Sequence, residues 1–415
     1  MMAKRLSTVL IVVLAAMLTT LTPGAYADDA RRPQPTLLGR AVLPVATYAP
    51  GPPAGTFFAG TTTNGISFPL PSQPVEGISS IVDGRHPGEY LAMSDNGFGN
   101  KMNSRDFLIR AYYIRPDFKT AHGGSGQVQV DLSEFIAFRD PDALIGFPIV
   151  TEGTTERLLT GADIDPESLQ RGNHGDLWVG DEFGPWVLHF DATGRLLDRP
   201  FAAPGGLHSP ANPLFDPATA TQPNSRGFEA MAISPDGKYL YPTLEGATVA
   251  EATGATATWR HVFEFNVRDK AFTGRQWRYQ TDGPGYLVAD MAALDRHHLV
   301  VIERDAGRGL TALFRKVYVV NLAEAAAGVL AKTEAVNLAA VPDPDLISLP
   351  ALHDGDVGLG NPYRVTCESI EAIHQIAGNR LLLGCDNNFP NTGRNPGRAD
   401  DNEFIVIKVP GLRGE

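Results

Sequence analysis

Apolar positions along the chain come in short bursts, each ending in an acid. Five such bursts occur: Glu89–Asp95, Asp176–Asp181, Lys238–Glu245, His298–Glu303 and Arg380–Asp386. Their terminal acids are 58 to 86 residues apart. Runs this short, rich in Leu, Val, Ile and Tyr and bounded by turn residues, predict strands. A second acid lies upstream of each burst: Glu76, Glu167, Glu229, Asp290 and Glu371. Downstream comes a further strand, as in Val187–Asp191, Val262–Asn266, Val317–Asn321 and Phe404–Ile407. Ser234–Gly237 and Asp191–Gly194 carry the Asx and Gly chemistry of tight turns between them.

A unit of three or four short strands, repeated with an acid in a repeated place, predicts an all-β fold of β-propeller type. Such a sheet cannot bury both faces alone, so copies stack around an axis. Chain length predicts six blades, with Leu37–Tyr48 closing the ring against Phe404–Val409 as the sixth. The N- and C-terminal strands would thus meet. A pair of sandwiched sheets is the competing architecture, but it does not call for a repeated acid. Two stretches break the pattern and are expected as short helices, Leu132–Phe138 and Ala323–Leu330.

Composition narrows the function classes. Gly (43) and Pro (32) are abundant among 415 residues, which disfavours a long helical bundle. With 43% apolar and 20% charged residues the chain is not a disordered polymer. A net charge of −12 argues against nucleic-acid partners. Lys4 and Arg5, the apolar run Leu6–Leu21, the breakers Pro23 and Gly24, and Ala25-Tyr26-Ala27 form a Sec-type signal peptide. The expectation is a removed leader over 1–27, a flexible tether over 28–36 and a single domain over 37–412. The mature protein would be secreted and monomeric, with no membrane attachment. An oxidising destination makes Cys367 and Cys385 a candidate disulfide stapling the last repeat, the alternative being two free buried thiols.

In a propeller the inner strands converge, so the upstream acids become neighbours. Glu76, Glu167, Glu229, Asp290 and Glu371 would ring one mouth, joined by Asp165 from Asp163-Ile-Asp165. Crowded carboxylates repel unless a cation compensates, and an all-oxygen set suits Ca²⁺ before Mg²⁺. These six residues are the candidate metal ligands, with Glu167 and Glu229 also the candidate catalytic groups. The competing role is structural, the acids accepting hydrogen bonds that hold the sheets together. Arg85, Lys101, Arg105, Arg171, Arg226 and Arg304 flank the motifs, and Arg171, Arg226 and Arg304 are the candidates for holding an anionic substrate. There is no G-x-S-x-G, H-E-x-x-H or P-loop signature. His174, His208 and His353 lie in loops as possible general bases.

Three segments carry a family likeness: Asp165–Leu169, Gly175–Asp191 and Arg226–Lys238. In combination they resemble the bacterial family called esterase-like activity of phytase, or phytase-like domain proteins, from about Gly77 to Val409. The resemblance implies an exported propeller that hydrolyses phosphate or carboxylic esters. The leading expectation is a secreted phosphoesterase acting on a small-molecule ester, with a divalent cation activating water. The alternatives are a non-enzymatic propeller that binds a partner or glycan, and a Ca²⁺-dependent carboxylesterase or lactonase.

Overall fold

Apolar runs broken at short intervals by Gly, Pro and Asn produce antiparallel hairpins. In the computed structural model, which describes residues 33–412, these hairpins assemble into five groups of four strands. The first sheet contains Ile78–Asp83, Tyr90–Ser94, Arg110–Asp117 and Gln127–Ala137. The second contains Pro166–Arg171, Leu177–Asp181, Trp186–Phe190 and Phe201–Ala202. The third contains Phe228–Ile233, Tyr239–Leu244, Trp259–Asn266 and Ala271–Gln280. The fourth contains Leu287–Ala293, His298–Arg304, Arg315–Asn321 and Lys332–Asn337. The fifth contains Ser369–Ile376, Arg380–Asp386, Asn402–Lys408 and, from the other end of the chain, Thr36–Leu43.

The fold is therefore all-β, and within each sheet every adjacent pair of strands is antiparallel. A single parallel bridge, Val42 to Gln127, links the fifth sheet to the first. The first strands of the five sheets neighbour one another in cyclic order, the last returning to the first. Between sheets the buried surface is apolar: Leu169, Leu177 and Leu188 pack with Met93 and Ile109, while Ile370 and Leu383 pack with Val300 and Val317.

Four expectations are corrected. The described residues form five four-stranded groups, not six, because long connections such as 138–165, 203–227 and 338–368 absorb residues that an even spacing assigned to strands. The strand from Thr36 does pair antiparallel with Asn402–Lys408, but as the fourth member of the fifth sheet rather than a sheet of its own. Leu132–Phe138 is strand as far as Ala137, where Phe135 and Ile136 pair with Tyr112 and Ala111. Ala323–Leu330 is a turn closed by an Ala326–Val329 bridge, its Gly328 at positive φ interrupting any helix. The predicted leader over 1–27 lies outside the described residues.

Cys367 and Cys385 form a disulfide. Cys385 lies on the second strand of the fifth sheet opposite Ile370, and Cys367 just precedes the first. No helix among the described residues is long and apolar enough to cross a membrane.

Candidate active site: an acidic cavity at the ends of the inner strands

In every sheet the pairing of the first two strands slips by one residue at the same place. The skipped residues are Ser79, Glu167, Glu229, Ala289 and Glu371 in sheets one to five. A bulge of this kind leaves one residue unpaired and re-aims its side chain. Counted from the slip, the next residue beyond the second-strand partner is Asp95, Glu182, Glu245, Arg304 and Asp386. All five line one cavity of about 220 Å³, together with the three bulged acids Glu167, Glu229 and Glu371. Asp165, Glu368 and the half-exposed Arg226 complete its charged wall.

Two arginines answer part of this charge. Arg304 is buried and bridges Glu245 (3.1 Å) and Glu371 (2.5 Å). Arg226 reaches the other oxygen of Glu245 at 2.6 Å. Burial disfavours the Arg304 charge, but Glu371, Glu245 and Glu229 together hold its pKa above the usual value. Backbone and amide donors hold other carboxylates in place. Gly97 N donates to Asp95 (2.7 Å), Gly227 N to Glu182 (2.9 Å), Asn388 N to Asp386 (2.7 Å) and Asn96 Nδ2 to Asp165 (2.7 Å).

What remains is uncompensated. The Glu229 carboxylate is only 4% exposed, faces the cavity and has no hydrogen-bond or ion-pair partner among the described residues. Burial, then Glu245, Glu371 and Glu182, push its pKa well above the ordinary range. Burial, then Glu229 and Asp165, do the same for Glu167. Asp165 is pushed up to about 6, mainly by burial. Three overlapping sets of carboxylates have ligand atoms within 4.8 Å of one another: Asp165, Glu167 and Glu182; Glu167, Glu229 and Glu371; Glu182, Glu229 and Glu245.

The cavity brings together Asp165, Glu167, Glu229, Glu371, Arg226 and Arg304 from the sequence-derived candidates. Glu76, Asp290 and Arg171 do not line it. Glu76 precedes the first strand and is fully buried beside Asp95 and Asp386, with neither oxygen hydrogen-bonded. Asp290 lies one residue past its slip, where one oxygen accepts Ile373 N (2.8 Å) across the sheet boundary. Arg171 ends the strand Pro166–Arg171, four residues past Glu167, so it lies about 13 Å away, at the opposite end of the inner strands. Asp181 and Glu303, read as repeat partners of Asp95, sit one position too early. Asp181 accepts Asp165 N (2.8 Å) and Gly184 N (2.7 Å), and Glu303 accepts Tyr279 OH (2.7 Å) and Lys332 Nζ (2.6 Å). Glu182, Glu245, Asp95 and Asp386 belong to the cavity but were not singled out as ligands. The signal that finds them is an acid at the end of the apolar second strand, at its last position for Asp386 and just past it for Asp95, Glu182 and Glu245. Of the loop histidines, His208 is tied to Gly206 O and Thr219, and His353 to Asp401, and neither lines the cavity.

A cyclic array of four-stranded antiparallel sheets with a carboxylate-lined cavity at one end of its inner strands defines the class. The chain belongs to the phytase-like family, described as esterase-like activity of phytase, whose model matches residues 73–389. A protein of Arthroderma benhamiae, described as an uncharacterized secreted protein, is 33% identical over 215 residues, covering 40% of this chain and 41% of its own length. A β-1,3-galactosidase of the GH43 group is similar in structure at 10% identity and a TM-score of 0.43, over 80% of this chain and 56% of that one. YCF48 from Cyanidioschyzon merolae is 14% identical with a TM-score of 0.31, over 80% of this chain and 72% of that one.

Proposed function

We propose that this protein is a secreted hydrolase of phosphate esters, built as a five-bladed β-propeller, whose reaction takes place in the acidic cavity. The observation that carries the reading is the surplus of converging carboxylates: Arg226 and Arg304 neutralise Glu245 and Glu371, while Glu167 and Glu229 face the cavity with no basic partner. Carboxylates in such numbers exclude an anionic substrate unless a cation is present. The donor set is all carboxylate oxygen, the chemistry that Ca²⁺ and then Mg²⁺ take. Asp165, Glu167, Glu182, Glu229 and Glu371 would hold it. A divalent ion bound there supplies polarisation of a phosphoryl oxygen and a lowered pKa for water.

The chain's own groups account for the proton traffic. Hydrolysis joins a water oxygen to phosphorus, breaks the ester P–O bond, and moves one proton from the water to the departing alcohol. Glu167 and Glu229, which line the cavity without a basic partner, would accept the proton that the water gives up. Arg304 and Arg226 stand where negative charge accumulates on the phosphoryl oxygens. Secretion is supported by the apolar leader, the disulfide and the description of the Arthroderma benhamiae relative.

Metal analysis of the purified protein beside a panel of chromogenic phosphate and carboxylic esters tests the reading. The expected result is a bound divalent ion, phosphate-ester turnover lost on exhaustive EDTA treatment, and recovery on adding the ion back. Glu229→Gln is expected to lower kcat on the order of 100-fold or more. Full phosphate-ester activity after chelation overturns the metal, and turnover of carboxylic esters alone overturns the substrate class.

A further inference from the structure

At the end opposite the acidic cavity the third and fourth sheets part around a cleft of about 390 Å³. Small-molecule sites typically measure about 300–1,000 Å³. Turn 234–238 of the third sheet and turn 295–297 of the fourth form its rims. The second, third and fourth strands of the third sheet supply Tyr239, Tyr241, Glu264, Arg275 and Trp277. Tyr239 lies about 20 Å from cavity residue Glu245, at the other end of the same strand. Most of these groups are held in place. Glu264 is buried, and its carboxylate accepts from Thr273 Oγ1 (2.9 Å) and Arg275 (3.1 Å). Trp277 Nε1 donates to Leu322 O (3.1 Å), and the Tyr241 ring meets the indole edge to face, 6.1 Å between centroids. The Tyr241 hydroxyl is the exception. Its side chain lines the cleft and is only 5% exposed, yet the oxygen has no hydrogen-bond partner among the described residues. Burial, then Glu264, push its pKa up to about 12, so it remains a hydroxyl at neutral pH. It is a donor and acceptor left free for whatever enters.

We propose that this cleft is a saccharide-binding site, taking one pyranose unit of a glycan against Tyr239 with its hydroxyls on Tyr241, Glu264 and Arg275. Sugar hydroxyls donate and accept at once. That matches a carboxylate that only accepts, a guanidinium that only donates and a phenol that does both. The C–H face of the sugar ring meets the electron-rich face of the half-buried Tyr239. A phosphate ester brings its charge against Glu264 and Asp236, while Arg275 and Lys238 are already paired with those acids at 3.1 Å each. An apolar ligand strips water from both acids and replaces none of its hydrogen bonds. A glycan held here leaves the acidic cavity open, so the site stands whether or not the hydrolytic reading holds.

Affinity electrophoresis of the full chain in gels containing laminarin, mannan, galactan or polygalacturonate tests the proposal, followed by calorimetry with the polysaccharide that retards it. Wild type is expected to be retarded by at least one of the three neutral polysaccharides. Tyr241→Phe removes only the oxygen and should weaken the calorimetric Kd about fivefold, the loss of one hydrogen bond. Tyr239→Ala removes the platform and should weaken it about tenfold. Melting curves establish that the variants fold, and any phosphate-ester turnover should be the same in both as in wild type. Retardation by none of these polysaccharides, or by polygalacturonate alone, overturns the assignment. So does an undiminished affinity in either folded variant, which would place the glycan elsewhere on the molecule.

Discussion

Glu403 shows how the same residue type serves opposite ends in this molecule. It is buried between Arg40 and Arg394, with Arg394 Nη2 2.5 Å from its carboxylate and Tyr363 OH accepting from the same guanidinium at 2.8 Å. Burial alone would raise its pKa, but Arg394 and then Arg40 outweigh it and pull the carboxyl down to about 2. A folded pKa below the unfolded value means stability that is present above about pH 4.5 and lost as pH falls toward 2. The shift corresponds to on the order of 3 kcal/mol. Glu403→Gln is therefore expected to lower the melting temperature at pH 7 and to flatten its decline between pH 4.5 and 2. Calorimetric scans across that window check it, and equal slopes in wild type and variant refute the coupling. The cavity acids Glu167 and Glu229 lack such partners, and their pKa values move the other way. Nothing in the local sequence separates these cases. Glu403 pairs with an arginine 363 positions away, a distance over which one-dimensional pattern carries no information.

At the scale of the element, the one-residue slip shared by all five sheets decides which acids meet. Alternation and turn chemistry were legible, so the second strands and the acids at their ends were found from the sequence. Glu167, Glu229 and Glu371 converge on one cavity, because each is the bulged residue of its sheet. The equivalent places in sheets one and four hold Ser79 and Ala289, and the nearest acids, Glu76 and Asp290, were read in their stead. A bulge shifts side-chain facing by one position without changing composition, so it leaves no trace in a period-two pattern. Gly180 lies beside this slip in the second sheet, where a Cβ would stand 2.3 Å from Ser168 Oγ and 3.0 Å from the Phe228 carbonyl of the third sheet. Ser168 can rotate, but the carbonyl belongs to the backbone that precedes Glu229. Gly180→Val is expected to cost about 1–3 kcal/mol by overpacking and to lower activity by shifting Glu229 relative to Glu167. An unchanged melting temperature with unchanged turnover would show that the sheet boundary yields freely.

For the whole molecule, the two ends of the chain and the two cysteines converge on the fifth sheet. Thr36–Leu43 supplies its outer strand, and this strand also touches the first sheet through Val42 and Gln127. The expectation that the chain ends meet is realised there, although even spacing suggested one sheet more than the described residues form. Loop length is the reason, since insertions in connections cost little and so obscure the repeat. The disulfide adds a covalent tie at the same sheet, closing a segment with a separation of 18 residues. Cys385 immediately precedes Asp386, and Cys367 lies two residues before Ser369 and four before Glu371, so the bridge anchors both strands where they enter the cavity. Closing a loop of this length restricts the unfolded chain by about 3 kcal/mol. A Cys367→Ala, Cys385→Ala double variant is thus expected to melt several degrees lower. Because Glu371 is one of the proposed ligands, loosening this sheet should misplace its carboxylate and, on the metal reading proposed above, weaken binding of Ca²⁺, measured by calorimetry, more than in a variant of equal stability loss outside the fifth sheet. Equal Ca²⁺ affinity in the two variants would mean that the bridge stabilises the fold without positioning the mouth.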